Sequence, residues 1–416
     1  FQALMSAGQR GGGPLWQPQR PLYPHQEEAA RWLVDHRGGL LADAMGLGKT
    51  ATALVAAKTL QGQRSAGSIL VVAPRYTRAA WLREAFALGV IDDASQFWAA
   101  EGLAARGGVS EAPLWFAHYE IVSAWAPAMV ADPARRPTVL ILDEAHWVKN
   151  PTTKRAKGVR ALSAMQARVI ALTGTPLANR PIELWNILSL VNGTSSWGSR
   201  HDFRVRYCGA VRGAYGWYDT EATHVEELQT RLKGSYLRRT VDDLDDVQLP
   251  SLTRQALTVR LDDAEVAEQV EVFGRVTPQA LLKYFRHGSA GKETLRALTQ
   301  LRKLTSRAKR HVTLRQVLDV LEGGEKALVF TWQKQTASWL ARRLGVAVAY
   351  EVHGGIPQAQ RERCIQAWRE SEHPTVLVAT LDALKEGVTL TEARHVIIHD
   401  LPWRPTDVLQ AERRIH

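Results

Sequence analysis

Residues 40–50 read LLADAMGLGKT, in which two apolar residues and an alanine end a predicted strand and Lys49 begins a predicted helix. The turn between strand and helix consists of Met45, Gly46, Leu47 and Gly48. Backbone N–H groups of such a turn and of the helix N-terminus face phosphate oxygens, where the helix dipole favours negative charge. Lys49 would contact the β- and γ-phosphates of a bound nucleotide, and the Thr50 hydroxyl would bind Mg²⁺.

This stretch departs at one position from the usual phosphate-loop pattern, G-x-x-x-x-G-K-[ST]. Asp43 stands where the pattern has its first glycine, so an ordinary strand–turn–helix is an alternative on these residues alone. Gln26, shortly before the loop, can pair with the edge of adenine, because its amide offers both a donor and an acceptor. A surface glutamine in a turn is the alternative there.

Composition sets the size and class of the protein. With 416 residues, 45% of them hydrophobic, the chain can form two or three domains. Its two cysteines, Cys208 and Cys364, exclude a disulfide framework and a cysteine-rich zinc site, and they fit a reducing compartment. The sequence contains no signal-peptide or transmembrane pattern. Because it begins with Phe1 and stops inside a helical pattern, we interpret it as a fragment of a longer protein.

The charge of the chain predicts a polyanionic partner. The net charge is +11 and the isoelectric point is about 9.8, which favours nucleic acid. The chain has 40 arginines and 13 lysines, so a GC-rich genome is an alternative source of the basic composition. The same bias favours a bacterial or phage origin, and hence a cytoplasmic, nucleoid-associated location over a nuclear one.

Buried-strand runs that alternate with helical patterns predict an α/β fold. Short, continuously apolar runs occur at residues 69–72, 115–117, 139–142 and 169–172. They are typical of a doubly wound parallel sheet, which binds its ligands at the carboxyl ends of the strands. Polar residues stand at two such ends. Asp143 would hold Mg²⁺ through water and Glu144 would take a proton from an attacking water, a solvated turn being the alternative, while the turn of residues 173–176 contains two hydroxyls.

A second alternating pattern follows a mainly helical stretch. Residues 327–330, 347–350, 376–379 and 396–398 have the composition of buried strands and predict a second parallel sheet. The helical stretch before them contains a basic cluster of Arg302, Lys303, Arg307, Lys309 and Arg310. This cluster is either a solvated helix face or a surface that contacts phosphates.

Four of these segments, in this order, resemble the Swi/Snf-type ATPases of helicase superfamily two. The matching stretches are LLADAMGLGKT, ILVVAPRYTRAAWLREA, LDEAHWVKNPTTKRAKGVRAL and LTGTPLANRPIELWNIL. An acidic residue at the position of Asp43 is typical of that family. The stretches FRVRYCGA, YGWYDTEATHVEELQ and SYLRRTVDDLDDVQLP are similar to the branch that contains the HARP-like annealing helicases. The resemblance extends from Leu22 to His416.

The resemblance implies two RecA-like lobes with helical insertions. Residues 1–20 would be a flexible lead-in, and residues 21–247 the ATP-binding lobe with a helical protrusion at about 186–235. Residues 248–416 would be the second helicase lobe, incomplete at its C-terminus, with a helical insertion at about 262–320.

Further site residues are implied only by this resemblance. Pro74, Arg75, Thr173, Thr175, His353, Gly354 and Trp403 would contact DNA or couple DNA to the nucleotide. Gly387 and Gln410 would contact the nucleotide, and Arg414 would be an arginine finger that reaches across from the second lobe. The chain departs from the family pattern at Val241, where lysine is usual, and at residues 383–385, where Ala-Leu-Lys replaces Ala-Gly-Gly. It also stops at His416, one residue before a second expected arginine.

The implied function is a DNA-dependent ATPase that uses ATP and Mg²⁺ and translocates on double-stranded DNA through sequence-independent backbone contacts. It would remodel DNA or protein–DNA complexes, in repair, at forks or in defence, with protein partners bound through flanking domains and no membrane. A strand-separating helicase is an alternative, and a non-catalytic DNA-binding scaffold is an alternative from another class.

Overall fold

A computed structural model describes residues 13–63, 67–100, 111–131, 136–165, 168–174, 181–213, 216–219, 221–244, 253–281, 291–384, 390, 392–402, 408 and 411–412. The chain forms two compact units, Phe1–Leu249 and Pro250–His416. Each has a parallel sheet, so the predicted α/β class is confirmed. Among the helices described, none combines the length and the apolar composition needed to cross a bilayer.

The first unit is built on parallel strands. The strands are β1 Gly39–Leu41, β2 Ile69–Ala73, β3 Phe97–Ala99, β4 Leu114–His118, β5 Val139–Leu142, β6 Arg168–Leu172, β7 Val211–Gly213, β8 Gly216–Tyr218 and β9 Tyr236–Leu237. Within the described residues, seven of them form one parallel sheet in the order β3-β4-β2-β5-β6-β1-β9. β7 and β8 form a separate antiparallel hairpin.

Helices cover both faces of this sheet. They are α1 Pro24–Asp35, α2 Lys49–Gly62, α3 Arg78–Leu88, α4 Tyr119–Ala131, α5 Lys154–Ser163, α6 Ile182–Asn192, α7 Thr194–Trp197, α8 Arg200–Tyr207 and α9 Val225–Leu232. One core contains Leu40, Leu70 and Leu140, and the opposite core contains Leu41, Val71 and Ile141. Because consecutive strand residues point to opposite faces, two apolar cores require the continuous apolar runs from which the strands were predicted.

The second unit repeats this plan with fewer strands. Its helices are α10 Asp263–Gly274, α11 Lys292–Glu322, α12 Lys334–Leu344, α13 Gln358–Glu370 and α14 Leu381–Leu384. Its strands are β10 Ala327–Thr331, β11 Ala349–Val352, β12 Val376–Thr380 and β13 His395–Ile398, in the parallel order β11-β12-β10-β13. The predicted strands occur at the predicted places, within about two residues at their ends.

Three details differ from the sequence prediction. Residues 15–19, expected to be flexible, pack on the first unit: Leu15 is buried, and the backbone N–H of Trp16 donates to Thr59 Oγ1 at 2.9 Å. The predicted protrusion of residues 186–235 begins within α6, whose apolar side chains belong to the core, and it includes the β7–β8 hairpin as well as helices. The short edge strands β3 and β9 were not predicted, since a run of two or three residues has no readable period.

Trp368 tests the packing of the second unit. Its side chain is fully buried, and its indole N–H donates to the carbonyl of Thr375 at 3.4 Å. Trp368→Ala removes this volume, and we expect the free energy of unfolding, measured by urea denaturation with circular dichroism, to fall by about 3–5 kcal/mol. The control Val346→Ala, at a position 97% exposed, should change it by less than about 0.5 kcal/mol. Equal values for the two variants would contradict this packing.

Candidate functional site

The phosphate-type loop lies between β1 and α2, at the carboxyl end of β1. Two of its glycines have left-handed backbone angles, with φ of 88° at Gly46 and 71° at Gly48, and Lys49 is the first residue of α2. A side chain at Gly48 would also collide with Gln26, because its Cβ would lie 2.0 Å from Gln26 Nε2. These two positions therefore require glycine for the shape of the loop.

Gln26 contacts the loop directly from helix α1. Its Nε2 donates to the carbonyl of Leu47 at 3.3 Å, and His25 Nε2 lies 3.2 Å from the same oxygen. Gln26 Oε1 accepts from the backbone N–H of Tyr23 at 3.2 Å. The amide thus has its orientation fixed beside the loop, and its contact with adenine stays a prediction.

The ammonium group of Lys49 bonds back to the start of its own loop. Nζ donates to the carbonyl oxygens of Asp43 at 2.8 Å and Ala44 at 2.9 Å. Phosphate oxygens, which carry negative charge, would compete with these neutral carbonyls for the positively charged ammonium. The position of Lys49 is therefore consistent with its predicted role.

The residue that broke the glycine pattern forms a buried ion pair. Both oxygens of the Asp43 carboxylate accept from Arg239: Oδ1 from the backbone N–H at 2.9 Å and from Nε at 3.3 Å, and Oδ2 from Nη2 at 2.5 Å. Arg239 Nη1 donates to the carbonyl of His25 at 2.7 Å and lies 3.1 Å from Glu28 Oε2. Asp43 is thus a structural part of the loop and not a defect in it.

Asp143 follows β5 and is held by three donors. Its Oδ1 accepts from the backbone N–H of Glu144 at 2.9 Å, and its Oδ2 accepts from the indole N–H of Trp81 at 3.0 Å. The hydroxyl of Tyr119 donates to the Asp143 carbonyl at 2.7 Å. Burial, followed by the charge of Glu144, raises the pKa of Asp143 to about 6, while Trp81, the Glu144 N–H and Lys49 act in the opposite direction. A divalent cation would stabilise the ionised form.

Glu144 has a strained backbone. Its φ is 48° and its ψ is 52°, in the left-handed region that non-glycine residues rarely adopt. Strain of this kind costs about 1–3 kcal/mol and occurs mostly at functional sites. The Glu144 carboxylate lies 3.1 Å from His146 Nδ1.

Three predicted motifs meet at this edge of the first sheet. β1 and β5 both pair with β6 in parallel, so the loop that leads to Lys49 and the Asp143–Glu144 segment emerge at the same edge of the sheet. The backbone N–H of Thr173 donates to the carbonyl of Leu41 at 3.1 Å. A Cβ at Gly174 would lie 2.6 Å from Met45 Cγ, so the turn after β6 packs directly on the phosphate-type loop.

The same edge fits a Mg²⁺ ion that arrives with a nucleotide. Within the described ranges no cluster of three His, Cys, Asp or Glu side chains could hold a metal by itself. Mg²⁺ bound to a nucleotide needs only one or two protein ligands, since phosphates and water supply the others. The Asp143 carboxylate and the Thr50 hydroxyl at the start of α2 satisfy that requirement.

The residues expected to contact DNA lie at strand ends. Pro74 follows β2, and its carbonyl accepts a hydrogen bond from the hydroxyl of Thr77 at 2.9 Å. The side chain of Arg75 is exposed. In the second unit, His353 follows β11, its Nδ1 accepts from the Gly355 N–H at 3.0 Å, and Gly354 is exposed. Their contacts with DNA stay predictions.

The basic cluster of helix α11 is not one continuous face. Lys309 Nζ donates to the carbonyl of His399 at 2.5 Å and to Asp400 Oδ1 at 3.1 Å, and Arg310 donates to Thr336 Oγ1 at 3.0 Å. Arg302 lies over the Trp332 ring at 4.2 Å, Arg307 pairs with Glu268, and Lys303 is exposed. Lys309 thus binds the residues that follow β13 and Arg310 binds helix α12, while the choice between a solvated face and a phosphate-contacting surface for the cluster stays a prediction.

Some predicted site residues lie outside the described residues. They are Thr175, Gly387, Trp403, Gln410 and Arg414. Conversely, three residues that contact the site were not predicted as site residues. Trp81 and Tyr119 donate to Asp143, and Arg239 donates to Asp43. The one available signal was Asp43: a buried acid inside the loop demands a cationic partner, although nothing in the sequence says which arginine supplies it.

Family models match most of the chain. The SNF2-related domain matches residues 118–312, the helicase conserved C-terminal domain matches residues 310–416, and the type III restriction enzyme res subunit matches residues 19–178. These matches confirm the predicted family.

Curated relatives match almost the whole chain. The SWI/SNF-related matrix-associated actin-dependent regulator of chromatin subfamily A-like protein 1 of Xenopus tropicalis is 31% identical over 95% of this chain and 41% of its own length. The mouse DNA annealing helicase and endonuclease ZRANB3 is 25% identical over 95% of this chain and 37% of its own length. The chain thus spans about two-fifths of the length of these relatives.

A solved structure also matches. The SWI2/SNF2 ATPase core of Sulfolobus solfataricus in complex with dsDNA has a TM-score of 0.49 at 20% identity, over 94% of this chain and 84% of that chain.

Gly48→Ala tests the shape of the phosphate-type loop. The added Cβ would occupy the left-handed region and displace Gln26 from Leu47, so we expect the free energy of unfolding to fall by about 1–3 kcal/mol. Gly62→Ala, at the other end of α2, is the matched control, since its Cβ meets nothing within 4 Å. It should stabilise the protein by up to about 1 kcal/mol. Urea denaturation measures both variants, and a Gly48→Ala protein as stable as wild type would contradict this geometry.

Proposed function

Because the chain belongs to the Swi/Snf-type ATPases of helicase superfamily two, we propose that it hydrolyses ATP in the presence of Mg²⁺ when stimulated by DNA. We further propose that it translocates on double-stranded DNA and thereby remodels DNA or protein–DNA complexes. One observation carries the ATPase proposal: Lys49 at the N-terminus of α2 and Asp143–Glu144 after β5 lie at the same sheet edge, because β1 and β5 both pair with β6 in parallel. A site for phosphate, metal and attacking water needs these three groups together.

The residues of the first unit supply most of the proposed chemistry. Lys49 exchanges its loop carbonyls for the β- and γ-phosphate oxygens, and the N–H groups at the start of α2 bind the phosphates. Asp143 and Thr50 would hold Mg²⁺, which would neutralise the negative charge that develops on those oxygens. Glu144 orients the attacking water and accepts its proton. Arg414 keeps its predicted role as an arginine finger.

The proposed DNA contacts are sequence-independent. A chain with net charge +11 is attracted to phosphate backbones, and backbone contacts carry no sequence information directly. Arg75, exposed after β2, is one candidate contact. We propose double-stranded DNA as the partner, further protein partners through flanking domains, and a bacterial or phage cytoplasm, associated with the nucleoid, as the location.

Glu144→Gln tests the ATPase proposal. The amide cannot accept a proton, so we expect DNA-stimulated ATP hydrolysis to fall by about 10²–10⁴-fold while the Kd for duplex DNA is retained. The assay compares phosphate release with and without DNA. Glu226→Gln, an exposed glutamate on α9, is the matched control and should hydrolyse ATP like wild type. If DNA does not stimulate the wild type and Glu144→Gln changes nothing, the non-catalytic scaffold is the better description.

A pair of displacement assays tests duplex translocation. A protein that moves along intact duplex should eject the third strand of a triplex in an ATP-dependent manner and leave a tailed duplex largely paired. Both substrates are measured with wild type and with Glu144→Gln, which should be inactive on the triplex. Efficient unwinding of the tailed duplex by wild type would favour the strand-separating helicase instead.

A further inference from the structure

We propose that Arg239 is a positioning residue of the nucleotide site, which holds the phosphate-type loop in the conformation that accepts ATP. The inference rests on the proposed ATPase function and adds a residue far from the loop in sequence. Arg239 is the second residue after the short edge strand β9, which pairs with β1, and it lies 196 residues after Asp43.

The contacts of Arg239 join three segments of the first unit. Its side chain and backbone N–H bind the Asp43 carboxylate, and its Nη1 binds the His25 carbonyl and Glu28 at the start of α1. Its own carbonyl accepts from the backbone N–H of Ala44 at 2.8 Å. The first half of the loop is therefore held by Arg239 through both side-chain and backbone bonds.

Through these bonds Arg239 acts on the groups that face a nucleotide. The carbonyls that hold Lys49 belong to Asp43 and Ala44, the two loop residues bound by Arg239. Gln26 follows His25 directly and donates to Leu47 in the second half of the loop. A shift of Arg239 would move the support of Lys49 and that of Gln26 together.

Because the Arg239–Asp43 ion pair is buried, it requires good hydrogen-bond geometry. The side chains of Arg239 and Asp43 are only 1% and 3% exposed. Desolvating two charges is unfavourable unless the geometry is good and the remaining donors are satisfied. Nε, Nη1 and Nη2 of Arg239 each have an acceptor. A lysine keeps the charge but has a single nitrogen in place of this planar fork, so it cannot reproduce the set.

Arg239→Lys is the first test, with Arg238→Lys as the matched control at the neighbouring, exposed arginine. We expect the Kd of a fluorescent ATP analogue with Mg²⁺, and the KM for ATP, to rise by about tenfold or more in Arg239→Lys. The kcat at saturating ATP and the Kd for duplex DNA should change by less than about threefold, because Arg239 touches neither water nor DNA in this mechanism. Arg238→Lys should match wild type in each measurement.

Asp43→Asn tests whether Arg239 affects nucleotide binding through its ion pair with Asp43. If Arg239 acts through Asp43, this variant should also weaken analogue binding, and the double variant Asp43→Asn/Arg239→Lys should bind no more weakly than the worse single variant. Fully additive losses would overturn the proposed route.

Hydrogen exchange on the wild-type chain gives a readout that does not depend on the folding of a variant. Binding of the analogue should slow exchange at residues 42–50 and also at residues 236–240. Protection of the loop without any change at residues 236–240 would overturn the proposal. A folded Arg239→Lys protein that binds the analogue as tightly as wild type does would also overturn it. In either case the proposed ATPase function would stand. A wild type that binds no analogue would instead remove the proposed function itself.

Discussion

Parallel strand pairing is the constraint on which the candidate site depends. β1 pairs with β6, β6 with β5, and β5 with β2, all in the same direction, so the segments that follow these strands emerge at one edge of the sheet. The phosphate-type loop, Asp143–Glu144 and Thr173–Gly174 are three of those segments. Residues that are about 130 positions apart in sequence become neighbours because backbone hydrogen bonds fix the register of the strands.

The site concentrates unfavourable local features that the surrounding fold supports. Asp43 and Arg239 are desolvated charges, Asp143 has a raised pKa, and Glu144 has left-handed backbone angles. The first two are held by neighbours that were not predicted as site residues: Arg239 binds Asp43, while Trp81 on α3 and Tyr119 at the start of α4 bind Asp143. Such strain persists only where the rest of the structure over-determines it, as at the edge of this well-packed sheet.

In the second unit, a cluster of basic residues in the sequence does not form one exposed basic surface. Helix α11 has five basic residues within nine positions, yet Lys309 is bound to Asp400 and Arg310 to Thr336. Ser306, fully buried on the same helix, donates to Asp400 Oδ2 at 3.0 Å, and His399, also buried, has its pKa lowered by that burial. This polar network fastens the long helix to the end of β13. A helical period indicates which residues share a face, but it does not say what the face meets.

The sequence by itself determined the fold class and the main strands, and it predicted Lys49, Asp143 and Glu144 as site residues, because apolar runs and phosphate-loop chemistry are local properties of the chain. It also marked Asp43 as anomalous. Only the tertiary structure assigned Arg239, Trp81 and Tyr119 to the site and showed that residues 15–19 are packed. Those contacts join residues 24 to 196 positions apart, and a pairing over such a distance is decided by sheet order and burial, which leave no periodic signal in the sequence.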